Sequence, residues 1–460
     1  MTADLYPRIR TGNPQADDVL GGGFPSNSIN IVMGQPGTGK TIFAEQLMFA
    51  NTHGERPLLF ITTLSEPLTK AVSYVQRFRF FDDNKLGDQI QYHDLGEALA
   101  ADGPGAVVPW LTTVIKASGP KIIVIDSFRA IHDLASSAPR MRLMVSDLAG
   151  LLSAYDVTTF LLGEYTIGDI ERYPEFAVGD GIVALARHPL SSRDERFFRV
   201  IKLRGSAYLE GQHAFRITDR GLELYPRLVS PLIPETYEPL LERVRTGVTG
   251  LDAMMGGGLW SGSTTLVAGP TGAGKTTVAL QFALEGVRRG EPTLYVNFQE
   301  NPAQLRRAID ALGMRADEAI ARGLILRYES PVELQIDSII VGIFERIRGG
   351  DVRRVVVDAI GDLAMAANDP QRLHDYLYAL VQHFAVNHVT SMLTFESESG
   401  ATTSAELEHR FSNMSDNVIV LGLGGEERSR RTLRVLKTRN SGHDPMVREL
   451  DIAEGGARIV

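Results

Sequence analysis

The stretch Gly34-Gln35-Pro36-Gly37-Thr38-Gly39-Lys40-Thr41 returns later in the chain as Gly269-Pro270-Thr271-Gly272-Ala273-Gly274-Lys275-Thr276. Both copies fit G-x-x-x-x-G-K-[ST], a loop whose glycines let successive backbone N–H groups turn inward around phosphates. The context suits that reading. The apolar runs Ile31-Val32-Met33 and Leu266-Val267-Ala268 enter the loops as strands, and helix-like segments, 41–50 and 276–286, leave them. A helix beginning there adds the positive end of its dipole to the cradle. The spacing predicts that Gly34, Gly37, Thr38, Gly39, Lys40 and Thr41 surround one nucleotide. Gly269, Gly272, Ala273, Gly274, Lys275, Thr276 and Thr277 would surround a second. Lys40 and Lys275 are expected at the β- and γ-phosphates, and the hydroxyls of Thr41 and Thr276 at Mg²⁺. ATP and Mg²⁺ are therefore the expected ligands. One such match carries little weight; two, each between a strand and a helix, carry much more.

The duplication extends beyond the loops. Thr11-Gly12 recurs as Thr246-Gly247, Gly21-Gly22-Gly23-Phe24 as Gly256-Gly257-Gly258-Leu259, and Lys202-Leu203-Arg204 as Lys437-Thr438-Arg439, each 235 positions on. A register held over so many sites identifies two diverged copies of one unit. The join falls in 225–242, YPRLVSPLIPETYEPLLE, whose four prolines read as a linker. The expected organisation is a first ATP-binding domain over 1–225, a linker over 226–242 and a second domain over 243–460.

Beyond each loop comes a buried apolar run ending in a carboxylate: Ile122-Ile123-Val124-Ile125-Asp126 and Val355-Val356-Val357-Asp358. Continuous β-branched runs suit parallel strands covered on both faces. Asp126 and Asp358 would sit at strand carboxyl ends, where α/β sheets place ligands, and would orient water on Mg²⁺. Leu58-Leu59-Phe60-Ile61, Thr293-Leu294-Tyr295-Val296, Thr159-Phe160-Leu161-Leu162 and Met392-Leu393-Thr394-Phe395 read as further strands. The runs 197–204 and 432–439 read as strands of a terminal β-meander. The expected fold class is α/β, with two tandem P-loop domains, each a mainly parallel sheet flanked by helices.

Composition narrows the alternatives. The 460 residues are 43% hydrophobic and 22% charged, an ordinary globular balance long enough for two cores. The chain has no cysteine, which excludes disulfides, thiolate metal sites and cysteine nucleophiles. Its net charge of −9 gives no sign of a nucleic-acid partner. The opening MTADLYPRIR has no apolar secretory core, and no apolar run is expected to approach the roughly 18 residues that span a bilayer. No membrane association is expected, and the simplest address is the cytosol.

The opening Thr-Gly, the Gly-Gly-Gly before each loop, the Asp-ended strands and the Lys-x-Arg near each copy's end resemble the KaiC family, clock ATPases of the RecA superfamily. The resemblance covers nearly the whole chain. The segment Lys437-Thr438-Arg439-Asn440-Ser441-Gly442-His443-Asp444 is especially similar to the end of that family's second domain. It implies a double-ringed homohexamer with ATP at the subunit interfaces, and a small regulatory protein partner. It also implies that Lys202, Arg204, Lys437 and Arg439 reach a neighbour's nucleotide.

The departures from the family bear on activity. In the family two adjacent glutamates follow the second strand of each domain, and the first acts as base. Here the second copy offers Gln299-Glu300 and the first Leu64-Ser65, with Glu66 one position on. Leu64 cannot accept a proton, and Gln299 orients a nucleophile better than it deprotonates one. Slow hydrolysis is expected, slower in the first copy, with Glu300 and Glu66 as remaining bases; Glu164 and Glu396 are alternative carboxylates. The family's second domain also phosphorylates itself on a Ser-Thr pair. Counting back from Ser415-Asp416, that pair is Ser412-Asn413, leaving Ser412 as the one candidate acceptor. The chain stops at Ile459-Val460, so the tail with which clock members bind an activator is expected to be missing. A nearly inactive ATP-held scaffold and a RecA-type DNA-dependent ATPase are the competing expectations.

Overall fold

The computed structural model describes residues 7–64, 68–189, 194–330, 334–350, 352–367, 369–397, 413–424 and 430–460. The chain divides into two compact units, Met1–Arg227 and Leu228–Val460. Among the described residues, each unit holds one nine-stranded sheet.

In the first unit the strands are β1 (Ile29–Gly34), β2 (Leu58–Thr62), β3 (Ile90–Asp94), β4 (Ile122–Asp126), β5 (Thr158–Gly163), β6 (Gly181–Pro189), β7 (Asp194–Leu203), β8 (His213–Thr218) and β9 (Gly221–Tyr225). Their order across the sheet is β9-β8-β7-β6-β1-β5-β4-β2-β3. The six strands from β6 to β3 pair in parallel. From β6 to β9 the chain runs as an antiparallel meander. The second unit repeats this order with β10 (Thr264–Gly269), β11 (Thr293–Asn297), β12 (Leu324–Tyr328), β13 (Arg354–Asp358), β14 (Thr390–Glu396), β15 (Asn417–Gly424), β16 (Arg430–Thr438), β17 (Arg448–Ala453) and β18 (Gly456–Ile459). The two mainly parallel, helix-flanked sheets are the architecture expected from the sequence. The edge strands β3 and β12 are additions, both half-buried; β3 is largely polar, whereas β12 opens on the apolar run Leu324-Ile325-Leu326.

Alternation along β4 explains why both faces need cover. Val124 joins a core with Phe43, Leu47, Phe60 and Phe160, to which helix α1 (Lys40–Ala50) contributes. Ile123 and Ile125 point the other way, toward Leu111, Ile115, Met141 and Leu148 of the helices Val107–Ser118 and Ala138–Ala154. In the second unit, α2 (Lys275–Arg288) packs Val278 and Phe282 beside Tyr295 and Val356, while Ile339, Ile343, Leu377 and Leu380 cover Val355 and Val357.

One glutamine per unit ties the first loop to the last strand. Gln46 Nε2 donates to Gly12 O at 3.2 Å, and Leu222 N donates to Gln46 Oε1 at 2.9 Å. Gln281 does the same with Gly247 O at 3.2 Å and Ala457 N at 2.7 Å. The repeated Thr-Gly has a structural part here. Thr11 and Thr246 each give a backbone N–H and a hydroxyl to an aspartate of the next turn, Asp17 or Asp252.

The stretch Gly96–Ser118 is more apolar than the sequence reading allowed, with a mean hydropathy of 1.2. Of this stretch, Leu99, Val107, Leu111 and Ile115 are buried in the first unit's core. Of the proline-rich segment, Tyr237 donates from its hydroxyl to Ala385 O at 3.2 Å, and Val229 O accepts from His383 at 2.9 Å.

Replacing Gln46 by Leu would leave Leu222 N–H and Gly12 C=O without this partner. The expected loss is roughly 1–3 kcal/mol, read as a lower denaturation midpoint, and Gln281→Leu should behave alike.

Candidate functional site

Each sheet delivers its loop at the carboxyl end of its central parallel strand, β1 or β10, and starts a helix directly from it. Gly39 and Gly274 are the turning points. Their φ values are +99° and +101°, and an added Cβ would lie 2.8 Å from Ile217 Cδ1 or 2.4 Å from Ile452 Cδ1. The backbone conformation is what calls for glycine, since the facing isoleucine tips could shift. Lys40 Nζ donates to Gly34 O (2.9 Å) and Gln35 O (3.1 Å), and Lys275 Nζ to Gly269 O (2.9 Å) and Pro270 O (3.0 Å). Both ammonium groups thus sit within the curl of their own loops. Burial lowers the pKa of each. In the first unit Glu164 and then Asp126 oppose the shift; in the second, Glu396 and then Asp358 do.

The two sites differ at the carboxylate. In the first, Thr41 Oγ1 donates to Asp126 Oδ2 at 2.7 Å. A hydroxyl and a carboxylate side by side at a strand end are hard oxygen donors that fit Mg²⁺. In the second, Asp358 is buried, with Oδ2 accepting from Tyr295 Oη at 2.7 Å and Oδ1 from the Thr394 hydroxyl. The peptide bond after each carboxylate, Asp126–Ser127 and Asp358–Ala359, is cis. A cavity of about 600 Å³ opens beside the first loop, lined by Lys40, Thr41, Asp126, Arg129 and Glu164 among others. Arg129 stands 4.7 Å over the Tyr173 ring and bonds Asp133 Oδ1 at 2.8 Å.

Leu64, at the family's base position, is 51% exposed. Glu66 and Ser412 lie outside the described residues. In the second unit Asn297 Oδ1 accepts from Gln299 N (2.9 Å) and Glu300 N (3.2 Å), fixing the loop after β11. Gln299 Nε2 donates to Asp362 Oδ2 at 3.2 Å. Glu300 Oε2 is buried without a hydrogen-bond partner among the described residues. Burial, and then the charge of Asp358, hold its carboxyl above the ordinary range. Of the alternative carboxylates, Glu164 lines the first cavity, and Glu396 accepts from the Thr271 hydroxyl in the second loop.

The Lys-x-Arg pairs lie far from their own loops. Lys202 Nζ donates to Gly179 O at 2.6 Å, and Arg204 pairs with Asp180 at 3.3 Å. Lys437 Nζ donates to Ser415 O at 2.9 Å, and Arg439 to Asn413 O at 2.8 Å. Leu203 is in register with Gly181, and Gly181 with Asn30, at the start of β1. At about 3.3 Å per residue, the length of β1 separates these side chains from the loop that follows it.

Against known families, the description "ATPase: KaiC" matches residues 9–229 and 244–460, one match per unit. The chain belongs to the KaiC ATPase family. It is 28% identical to the circadian clock oscillator protein KaiC of Picosynechococcus sp. over 98% of this chain and 89% of that protein. It is 27% identical to KaiC 1 of Synechocystis sp. and 26% identical to KaiC of Synechococcus elongatus, with the same two shares. Family membership carries ATP binding as its general property.

Several side chains at the sites escaped the sequence reading. Tyr295, Thr394 and Asp362 reach Asp358 or Gln299 from other elements, and no local spacing flags such contacts. Glu45 had a local signal: it stands one helical turn beyond Thr41, a carboxylate that with Gln46 interrupts a mainly apolar stretch of α1. It is fully buried, accepts from Tyr92 Oη at 2.9 Å, and leaves Oε1 without a hydrogen-bond partner among the described residues. Burial drives its carboxyl up to about 8, the Tyr92 hydrogen bond opposes this, and the Asp126 charge adds to it.

A folded-state pKa raised this way means that the native state holds a proton the unfolded state has released. Between the ordinary carboxylate range and about pH 8, stability therefore falls as pH rises. Glu45→Gln should remove that slope, making the variant more stable than the parent at pH 8 by on the order of a few kcal/mol. The advantage should shrink toward pH 5, as followed by denaturant titration across the range.

Proposed function

We propose that the protein binds ATP with Mg²⁺ in both units and hydrolyses it slowly, chiefly in the second, as a ring of identical copies whose sites are shared between neighbours. The observation that carries this reading is the position of Lys202, Arg204, Lys437 and Arg439. They are a strand length from the loops of their own units, so any contact with nucleotide is made outside that unit, as sharing between neighbouring copies requires. The family match favours the hexamer over other rings. In each site the loop N–H groups and Lys40 or Lys275 hold the phosphates, and the helix start adds favourable potential. Thr41 with Asp126 in the first unit, and Thr276 in the second, would hold Mg²⁺, whose chemistry there is to neutralise charge on the β- and γ-phosphates.

The units are unequal in what could handle the attacking water. The second keeps Glu300, held above its ordinary pKa, and Gln299. The first presents exposed Leu64 at the corresponding position. A first unit that mainly holds ATP and supports the ring, with a second that turns it over, follows from this difference. The output is then set by nucleotide state and read by a small protein partner. Transfer of the γ-phosphate to Ser412, the residual autokinase reading, is the alternative fate of the same phosphoryl group.

Mixing variants tests the shared site. Lys275→Ala alone and Arg439→Ala alone should each lose most second-unit turnover. Rings assembled from an equal mixture should recover part of it, because some interfaces then carry an intact lysine and an intact arginine. No recovery in mixed rings of confirmed composition would refute sharing. Labelled γ-phosphate followed in the same samples separates the fates. Free phosphate is expected; label kept on the protein and lost in Ser412→Ala would establish the autokinase instead.

A further inference from the structure

Where the family places a catalytic glutamate, the second unit has Gln299. An amide has two unlike ends. Its oxygen can accept a hydrogen bond from attacking water, whereas its nitrogen can only donate. Which end faces the water therefore decides whether the residue helps, and something must hold it. The structure supplies a holder. The helix Ile360–Ala367 follows directly on β13 and carries Asp362 four residues past Asp358. Asp362 is only 5% exposed, and its Oδ2 accepts from Gln299 Nε2 at 3.2 Å. An ionised carboxylate only accepts, so it takes the nitrogen end and leaves Gln299 Oε1 turned away. The backbone of Gln299 is fixed independently by Asn297 Oδ1.

The first unit provides an internal comparison. Four residues past Asp126 stands Ala130, and Leu64 stands in place of Gln299. The amide and the carboxylate are present together in one unit and missing together in the other, as expected if one has no use without the other.

We propose that Asp362 is the positioning residue of the second site, holding the Gln299 amide so that its oxygen orients the water that attacks ATP. The inference rests on the reading of this unit as a hydrolytic site. In the step it serves, the water oxygen bonds to the γ-phosphorus while the bond to the β,γ-bridging oxygen breaks, and ADP leaves with that electron pair. An amide cannot keep the water's proton, which passes to Glu300, the remaining carboxylate of the same loop. Asp362 touches neither water nor phosphate and acts only through Gln299.

The test is steady-state ATP turnover, counted as the portion that Lys275→Ala removes, in full-length Asp362→Asn, Gln299→Ala and the double variant. KM and the denaturation midpoint are measured alongside. Asparagine offers both a donor and an acceptor and so fixes neither end of the amide. Asp362→Asn should lower kcat about tenfold, with KM within about twofold and the midpoint unchanged. Gln299→Ala should lower kcat by a similar factor, and the double variant should fall no further. Asp362→Glu, which keeps an acceptor-only group, should recover part of the loss, and this variant decides the matter should Asp362→Asn fold poorly. Losses that multiply in the double variant, or an Asp362→Asn kcat equal to the parent's, would overturn the proposal. The other failures read differently. A parent with no Lys275-dependent turnover overturns the hydrolytic reading of the unit. Gln299→Ala at parental kcat removes the amide's role while leaving hydrolysis in place.

Discussion

The hydrogen bond from Thr41 Oγ1 to Asp126 Oδ2 joins residues 85 positions apart and closes the first site. It forms only because two parallel strands, separated by β5 alone, end at the same edge of the sheet. The rest of the unit can be understood as what keeps those two strand ends level. The central strands are apolar on both faces, so a slip of one residue would turn each side chain to the wrong layer. Helices on both faces hold the register, and the Gln46 staple ties the first loop to the meander that returns beside α1.

The second unit keeps this frame and changes what the carboxylate meets. The 235-residue register puts Tyr295 where the first unit has Phe60. That single hydroxyl reaches Asp358 from within the core, and the Thr394 hydroxyl takes the other oxygen. Burial and the adjoining Asp358 charge make ionisation of Tyr295 strongly unfavourable, so it remains a fixed donor. The first unit places its extra polar pair, Glu45 and Tyr92, between the loop helix and β3 instead. Duplicated domains thus diverge here by moving buried polar groups around a fixed pair of strand ends, while the strand order stays the same.

The same logic separates the units chemically. A loop that binds phosphates needs backbone geometry, and both units retain it. Hydrolysis also needs a group that handles the water, and these groups sit on loops just beyond the strands, where substitution costs the fold little. Leu64 is exposed and Gln299 lies on a loop end, so exchanging a carboxylate at either place leaves the core unaffected. Asp362 differs, being a buried carboxylate at the start of a helix. Burial raises its pKa, the Gln299 and Ala359 N–H groups lower it, and Asp358 and Glu396 raise it again.

The sequence alone determined the two loops, the Asp-ended strands, the duplication and the α/β class. Those signals are local: glycines at fixed offsets, continuous β-branched runs, and a register repeated along one chain. It also marked Gln299 and Leu64 as departures, because the family resemblance supplied the residues to compare. The tertiary structure decided which groups meet. Tyr295 to Asp358 and Gln299 to Asp362 are each 63 residues apart in sequence, brought together by neighbouring parallel strands. The placement of Lys202 and Lys437 away from their own loops was equally hidden. It follows from the antiparallel return of β7 and β16, and the direction in which a strand comes back is set by the sheet it joins, through pairings with strands distant in the sequence.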